Sequence, residues 1–129
     1  MVRLVCMVRI LVGEDDPTLL EFYGELLKEE GFSVDLAADG EEALKFASGG
    51  GYDLILLDVH LPKKEGPQIL EELSQNPPSI SNKKIIMLTN VTHETAIEEQ
   101  TKNLGASKFL LKSALTPDQF LQEVKTALS

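Results

Sequence analysis

LILLDVHLPKKEG, residues 54–66, is an apolar run that ends abruptly in a carboxylate, followed shortly by a proline, two lysines, a glutamate and a glycine. Leu54 to Leu57 show no polar alternation, so the segment reads as a strand buried on both faces, the pattern of a parallel sheet covered by helices on each side. Asp58 then stands at the mouth of that strand. In an open α/β sheet, ligands bind outside the carboxyl ends of the strands, so a carboxylate there is a candidate for chemistry.

Working outward, short β-branched and leucine-rich runs alternate with helical patterns five times. Arg9 to Val12 is the first strand, with a possible extension back towards Leu4. Asp16-Pro17 supplies an N-cap and a proline at the first helical position. Leu19, Leu20, Tyr23, Leu26 and Leu27 form the apolar stripe of the first helix, and Gly31 closes it. Phe32 to Ala37 is the second strand. Asp39 to Glu42 opens a helix in capping-box style, and Gly49 to Gly51 end it.

Asp53 to Asp58 is the third strand, followed by a helix over Pro67 to Ser74. Ile85 to Thr89 is the fourth strand, with a polar helix from about His93 to Leu104. Lys108 to Lys112 is the fifth strand. A capping box at Thr116-Pro117-Asp118-Gln119 opens the last helix, which presents Phe120, Leu121, Val124 and Leu128 to the core. Right-handed crossovers between such strands give a doubly wound α/β domain.

The chain as a whole narrows the function. Its 129 residues suit one domain, and 43% hydrophobic and 26% charged residues are ordinary for a globular protein. A formal net charge of −9 disfavours direct nucleic-acid binding, which needs a concentrated basic surface. A single cysteine, Cys6, cannot form an internal disulfide, which fits a reducing, cytoplasmic setting. The opening MVRLVCMVRILV is interrupted by Arg9 and lacks a cleavage pattern, so neither a signal peptide nor membrane insertion is expected. The near-repeat of Met1 to Leu4 as Met7 to Ile10 suggests that residues 1–7 are an N-terminal extension or the start of strand 1, with the domain over 8–129.

The strand mouths collect the remaining polar residues. The first strand delivers Glu14 and Asp15, the third Asp58, the fourth Thr89 and the fifth Lys112. Singly, each has a plain structural explanation, and Asp16 is simply a helix cap. Together they converge on one edge of the sheet. Like charges about 4 Å apart repel by about 4 kcal/mol at an effective dielectric near 20. One lysine cannot neutralise three carboxylates, so either some pKa values rise or a divalent cation sits among them. All-oxygen ligands favour Mg²⁺ over zinc. A carboxylate beside such an ion can attack phosphorus and form an acyl phosphate, with Lys112 and the Thr89 hydroxyl stabilising phosphoryl oxygens. No serine–histidine or cysteine–histidine pair supports hydrolase chemistry, and the glycines at 49–51 lack the following Lys-Ser/Thr of a P-loop.

These residues closely resemble the response-regulator receiver domain of two-component signalling. The likeness runs from about Val8 to Leu128 and rests on ILVGEDDP (10–17), LILLDVHLPKKEG (54–66), IIMLTN (85–90) and GASKFLLKS (105–113), in that order. It implies a flavodoxin-like (βα)5 sandwich with strand order 2-1-3-4-5. It makes Asp58 the phosphoacceptor, Glu14 and Asp15 the acidic pair that organises Mg²⁺ (with Mn²⁺ as a substitute), and the backbone carbonyl of His60 a further metal ligand. Thr89 and Lys112 would contact the phosphate, and Phe109 would be the aromatic switch that moves with Thr89. The implied partners are a histidine kinase or histidine phosphotransfer protein as donor and a downstream protein target or effector domain. The implied output face is the fourth helix, fifth strand and last helix, which is also where a phosphorylation-dependent dimer would form.

The sequence departs from the family pattern at a few positions. Gly13 stands where a bulkier apolar residue is usual, which would loosen the approach to the acidic pair. Asn90 replaces the customary small residue after the threonine, and Ser113 replaces the proline that often follows the lysine, so no cis peptide is expected there. His60 and Val91 flank the expected path of the hydrolytic water. Three other readings compete. A degenerate receiver, acting as a phosphorylation-independent interaction module, is disfavoured by the complete set of five residues. An aspartyl-phosphate enzyme would need a second acid two positions after the nucleophile, where His60 stands. A flavin module would need a phosphate-cradling loop.

Overall fold

The structure, a computed structural model, describes residues 7–90 and 95–129. Strands and helices alternate along the chain. They are β1 (Arg9–Gly13), α1 (Pro17–Glu29), β2 (Ser33–Ala37), α2 (Gly40–Ser48), β3 (Leu54–Asp58), α3 (Gly66–Gln75), β4 (Lys84–Thr89), α4 (Thr95–Asn103), β5 (Lys108–Leu111) and α5 (Pro117–Leu128). All pairings are parallel, in the order β2-β1-β3-β4-β5. The doubly wound flavodoxin-like architecture expected from the sequence is therefore the one observed.

Burial follows position in the sheet. All five residues of central β3 are buried, whereas edge strand β2 is mostly half-buried. Two apolar layers result. Ile10, Val12, Leu54, Leu56, Ile86 and Leu88 face α1 and α5, while Leu11, Ile55, Leu57 and Met87 face α2 and α3. Each such side chain contributes about 1.5–3 kcal/mol when fully buried, so the core of the sheet is a rigid platform.

The helix ends obey local chemistry. Asp16 Oδ1 accepts from the Thr18 and Leu19 amides, and Gly31, at φ 91°, lets the Gly31 and Phe32 amides return to the Lys28 and Leu27 carbonyls. Thr116 and Gln119 form the expected capping box. At α2 the expected box is altered: Asp39 caps the Glu42 amide, but Glu42 Oε1 accepts from Ala38 N–H rather than from Asp39. The start of α4 near His93, the region of Val91, and the possible extension of β1 towards Leu4 lie outside the described residues. Among the described residues there is no cis peptide bond, and no helix is long and apolar enough to cross a membrane.

Candidate functional site

Glu14 follows directly on the last residue of β1, and its backbone is fixed by donating its N–H to the Ala37 carbonyl of β2 at 3.0 Å. Gly13 does not leave a loose approach, as the sequence suggested. A Cβ there would come within 2.8 Å of Leu57 Cδ1, so the neighbouring leucine already fills the space. The Glu14 side chain is completely buried, and its Oε2 accepts from the Asp16 N–H at 3.0 Å. Asp15, the next residue, is exposed.

Asp58 ends β3 and is only 4% exposed. Its Oδ1 accepts the His60 N–H at 3.1 Å, while Oδ2 bonds to Lys112 Nζ. Lys112 also donates to Glu14 Oε1 at 2.7 Å. A single buried ammonium thus bridges two carboxylates delivered by different strands. Each of Glu14, Asp15 and Asp58 offers an oxygen within 4.8 Å of the others, close enough for the three to share a cation. The donor set is all oxygen, which suits a hard divalent ion.

Lys112 is not the last residue of β5, as the sequence suggested. The strand stops at Leu111, and Lys112 opens a 3-10 turn through Ala114, closed by Leu115 N–H donating to Lys112 O at 3.2 Å. The turn carries the side chain back towards the neighbouring strands, where Glu14 and Asp58 hold it. Thr89, 2% exposed, ends β4 in register with Leu111 and so stands beside the start of that turn. Phe109 is half-buried against the layer that contains Met87, its register partner, and lines a cavity of about 220 Å³ together with Glu98, Thr101 and Lys102 of α4. The His60 side chain is exposed, with Nδ1 3.7 Å from Glu65 Oε1, and Asn90 is also exposed.

The electrostatics record the crowding. Burial pushes the Glu14 carboxyl above its ordinary value; the bonds from Lys112 and the Asp16 amide oppose this without cancelling it, and the Asp58 charge adds to the rise. Burial alone would lower the Lys112 ammonium, yet its bonds to Asp58 and Glu14 outweigh that and leave it above an ordinary lysine. Tyr23 was legible in the sequence only as part of an apolar stripe. It lies close enough to feel the site: its phenol is pushed up to about 12, first by burial and then by the Glu14 charge. Its ring stacks on Phe120 at 4.4 Å.

Known proteins resemble this chain in sequence and in fold. The family described as "Response regulator receiver domain" matches residues 10–125. The transcriptional regulatory protein DltR of Streptococcus agalactiae is 34% identical over 118 residues, which cover 92% of this chain and 50% of that protein; the chain thus spans about half the length of this relative. Among solved structures, a CheY-like receiver domain protein from Methanospirillum hungatei superposes with a TM-score of 0.82 at 29% identity, covering 95% of this chain and 94% of the other. The response regulator TrrA of Thermotoga maritima, in complex with Mg²⁺ and BeF, gives a TM-score of 0.77 at 34% identity, covering 95% of this chain and all of that one (100%). With five parallel strands in the same order and an acidic cluster at their carboxyl ends, the chain belongs to the response regulator receiver domain family, a family of signalling domains.

Proposed function

We propose that the chain accepts a phosphoryl group on Asp58 in a Mg²⁺-dependent reaction and relays a two-component signal by changing conformation. The observation that carries this reading is the buried Lys112 ammonium shared between Glu14 and Asp58, beside a third carboxylate, Asp15. One cation among three acids leaves a site that gains from a metal and a reacting phosphoryl group.

An Asp58 carboxylate oxygen attacks the phosphorus of a phosphohistidine on a histidine kinase or phosphotransfer protein. The O–P bond forms as the P–N bond breaks, and the electron pair returns to the donor imidazole. Lys112, released from the carboxylate, neutralises one phosphoryl oxygen, and the Thr89 hydroxyl donates to another. Glu14, Asp15, Asp58 and the His60 carbonyl would hold Mg²⁺ or Mn²⁺, which would supply charge screening between nucleophile and phosphoryl group. Slow loss of the phosphoryl group to water would reset the domain.

Output follows from the same contacts. Turning Thr89 towards the phosphoryl group makes room for Phe109 to bury further, which biases the face made by α4, β5 and α5 towards a downstream target, an effector domain or a second copy of the chain. The setting is cytoplasmic, with no direct nucleic-acid contact by this domain.

The test is intact-mass analysis after incubation with Mg²⁺ and a small acyl-phosphate donor. One added phosphate is expected in the native protein and none in Asp58→Asn. A native protein that gains no phosphate, and gives no spectroscopic response to beryllium fluoride, is instead a phosphorylation-independent interaction module.

A further inference from the structure

The first turn of α2 and the loop from β3 to α3 meet with no space between them. Gly40, the first residue of α2, donates its N–H to the Pro62 carbonyl at 2.9 Å. A Cβ added at Gly40 would lie 1.8 Å from the Lys64 carbonyl oxygen, so any other residue forces the loop to move. The same Pro62 carbonyl accepts the Lys64 N–H at 2.8 Å, closing a tight turn with Lys63 at its tip. Lys63 has φ 70°, the one positive value on a non-glycine residue among those described. Its ammonium is tied to Asp39 at 3.3 Å and, more loosely, to Glu41 at 4.0 Å, both at the start of α2.

The far end of the loop is equally confined. Gly66 donates to the Val59 carbonyl at 2.8 Å, and a Cβ there would be 2.7 Å from the Asp58 carbonyl oxygen. Between these two fixed ends lies His60, whose N–H orients the Asp58 carboxylate. The cap of α2 does not require the Gly40–Pro62 contact, because Asp39 already accepts the Glu42 amide at 2.9 Å. The Gly40 amide is one of the free donors of a helix start, and here it is directed at the loop.

We infer that the first turn of α2, through Gly40 and the Asp39–Lys63 pair, is a positioning clamp for the metal-binding loop. It sets the height of residues 59–65 above β3, and with it the relation between the His60 carbonyl and the Asp58 carboxylate. The clamp comes from an element that contributes no residue to the acidic cluster. This rests on the proposed role of the His60 carbonyl towards Mg²⁺.

Two measurements test it together. In the native protein, a Mg²⁺ titration followed by ¹H–¹⁵N NMR should shift the Gly40 amide with the same midpoint as the His60 amide. In Gly40→Ala, Mg²⁺ affinity measured by calorimetry should fall by about tenfold or more, as for other residues that orient metal ligands. Val124→Ala, buried on the opposite core layer, serves as a control for lost stability: it should melt earlier yet bind Mg²⁺ as the native protein does. A still Gly40 resonance while His60 moves overturns the clamp. Native affinity in a cooperatively melting Gly40→Ala also overturns it, as does a loss no greater than in Val124→Ala. If Gly40→Ala does not melt cooperatively, the native titration decides alone. A native protein that binds no Mg²⁺ overturns the metal reading itself, a result distinct from failure of the clamp.

Discussion

α4 and α5 are both amphipathic helices beside β5, one on each face of the sheet, yet they are held very differently. α5 starts at a complete capping box, buries Phe120 and Val124, stacks Phe120 on Tyr23 of α1, and is tied by Lys125 to Glu30 and by Glu123 to Lys108. α4 buries only Thr101, with Ile97 partly covered, and Thr101 spends its hydroxyl on the Ile97 and Glu98 carbonyls of its own helix. The domain is thus firm where β1, β3, α1 and α5 meet and lightly held along α4 and the half-buried Phe109. A charge change at Asp58 moves most readily what is lightly held, so within the proposed output face of α4, β5 and α5 the movement should concentrate in α4 and β5.

The largest effect expected is on the firm side. Phe120→Ala should cost about 3–5 kcal/mol in urea unfolding, whereas Ile97→Ala should cost about 1 kcal/mol. Equal losses would break the contrast between the helices.

Next comes the lysine between the two carboxylates. Lys112→Met removes their shared cation and should cost about 3 kcal/mol at neutral pH without metal. The sign of the pH dependence follows from Glu14. Its folded pKa lies above its ordinary 4.5, so the folded chain holds that proton more tightly and stability falls as pH rises through the interval above 4.5. Acidification into that interval should therefore recover part of the Lys112→Met loss. A loss independent of pH would mean that the carboxylates are not left facing each other.

The smallest effect is spectroscopic. Both tyrosines of the chain, Tyr23 and Tyr52, have phenols raised to about 12. Ultraviolet absorbance should show no tyrosinate forming near the ordinary value of 10.0 while the protein stays folded. Stability should decline as pH climbs from 10 towards 12, because the unfolded chain ionises first. Phe120→Ala, by opening the stack over Tyr23, should bring one tyrosine back towards 10. An ordinary titration of either phenol in the native protein would contradict its burial.

Much of the fold was legible because its signals are local. The unbroken run Leu54 to Leu57, the cap at Asp16, the closing Gly31 and the box at Thr116–Gln119 each depend on a few neighbouring residues, and each stands in the structure. The misreadings concern details that neighbours do not fix. β5 ends one residue early because Lys112 turns inward to two acids, and Glu42 reaches Ala38 rather than Asp39. Gly13 looked like a gap only because the sequence does not reveal that Leu57 fills it.

Periodicity and strand-end chemistry alone determined a parallel α/β sheet with Glu14, Asp15, Asp58, Thr89 and Lys112 at its strand mouths. They did so because side-chain alternation and helix capping are short-range properties of the chain. Only the tertiary structure decided that Glu14 is buried while Asp15 is exposed, that Lys112 joins Glu14 to Asp58, and that Gly40 braces the loop beyond Asp58. Those outcomes depend on how closely distant segments can approach, which is set by packing volume and by the cost of leaving a buried charge unpaired.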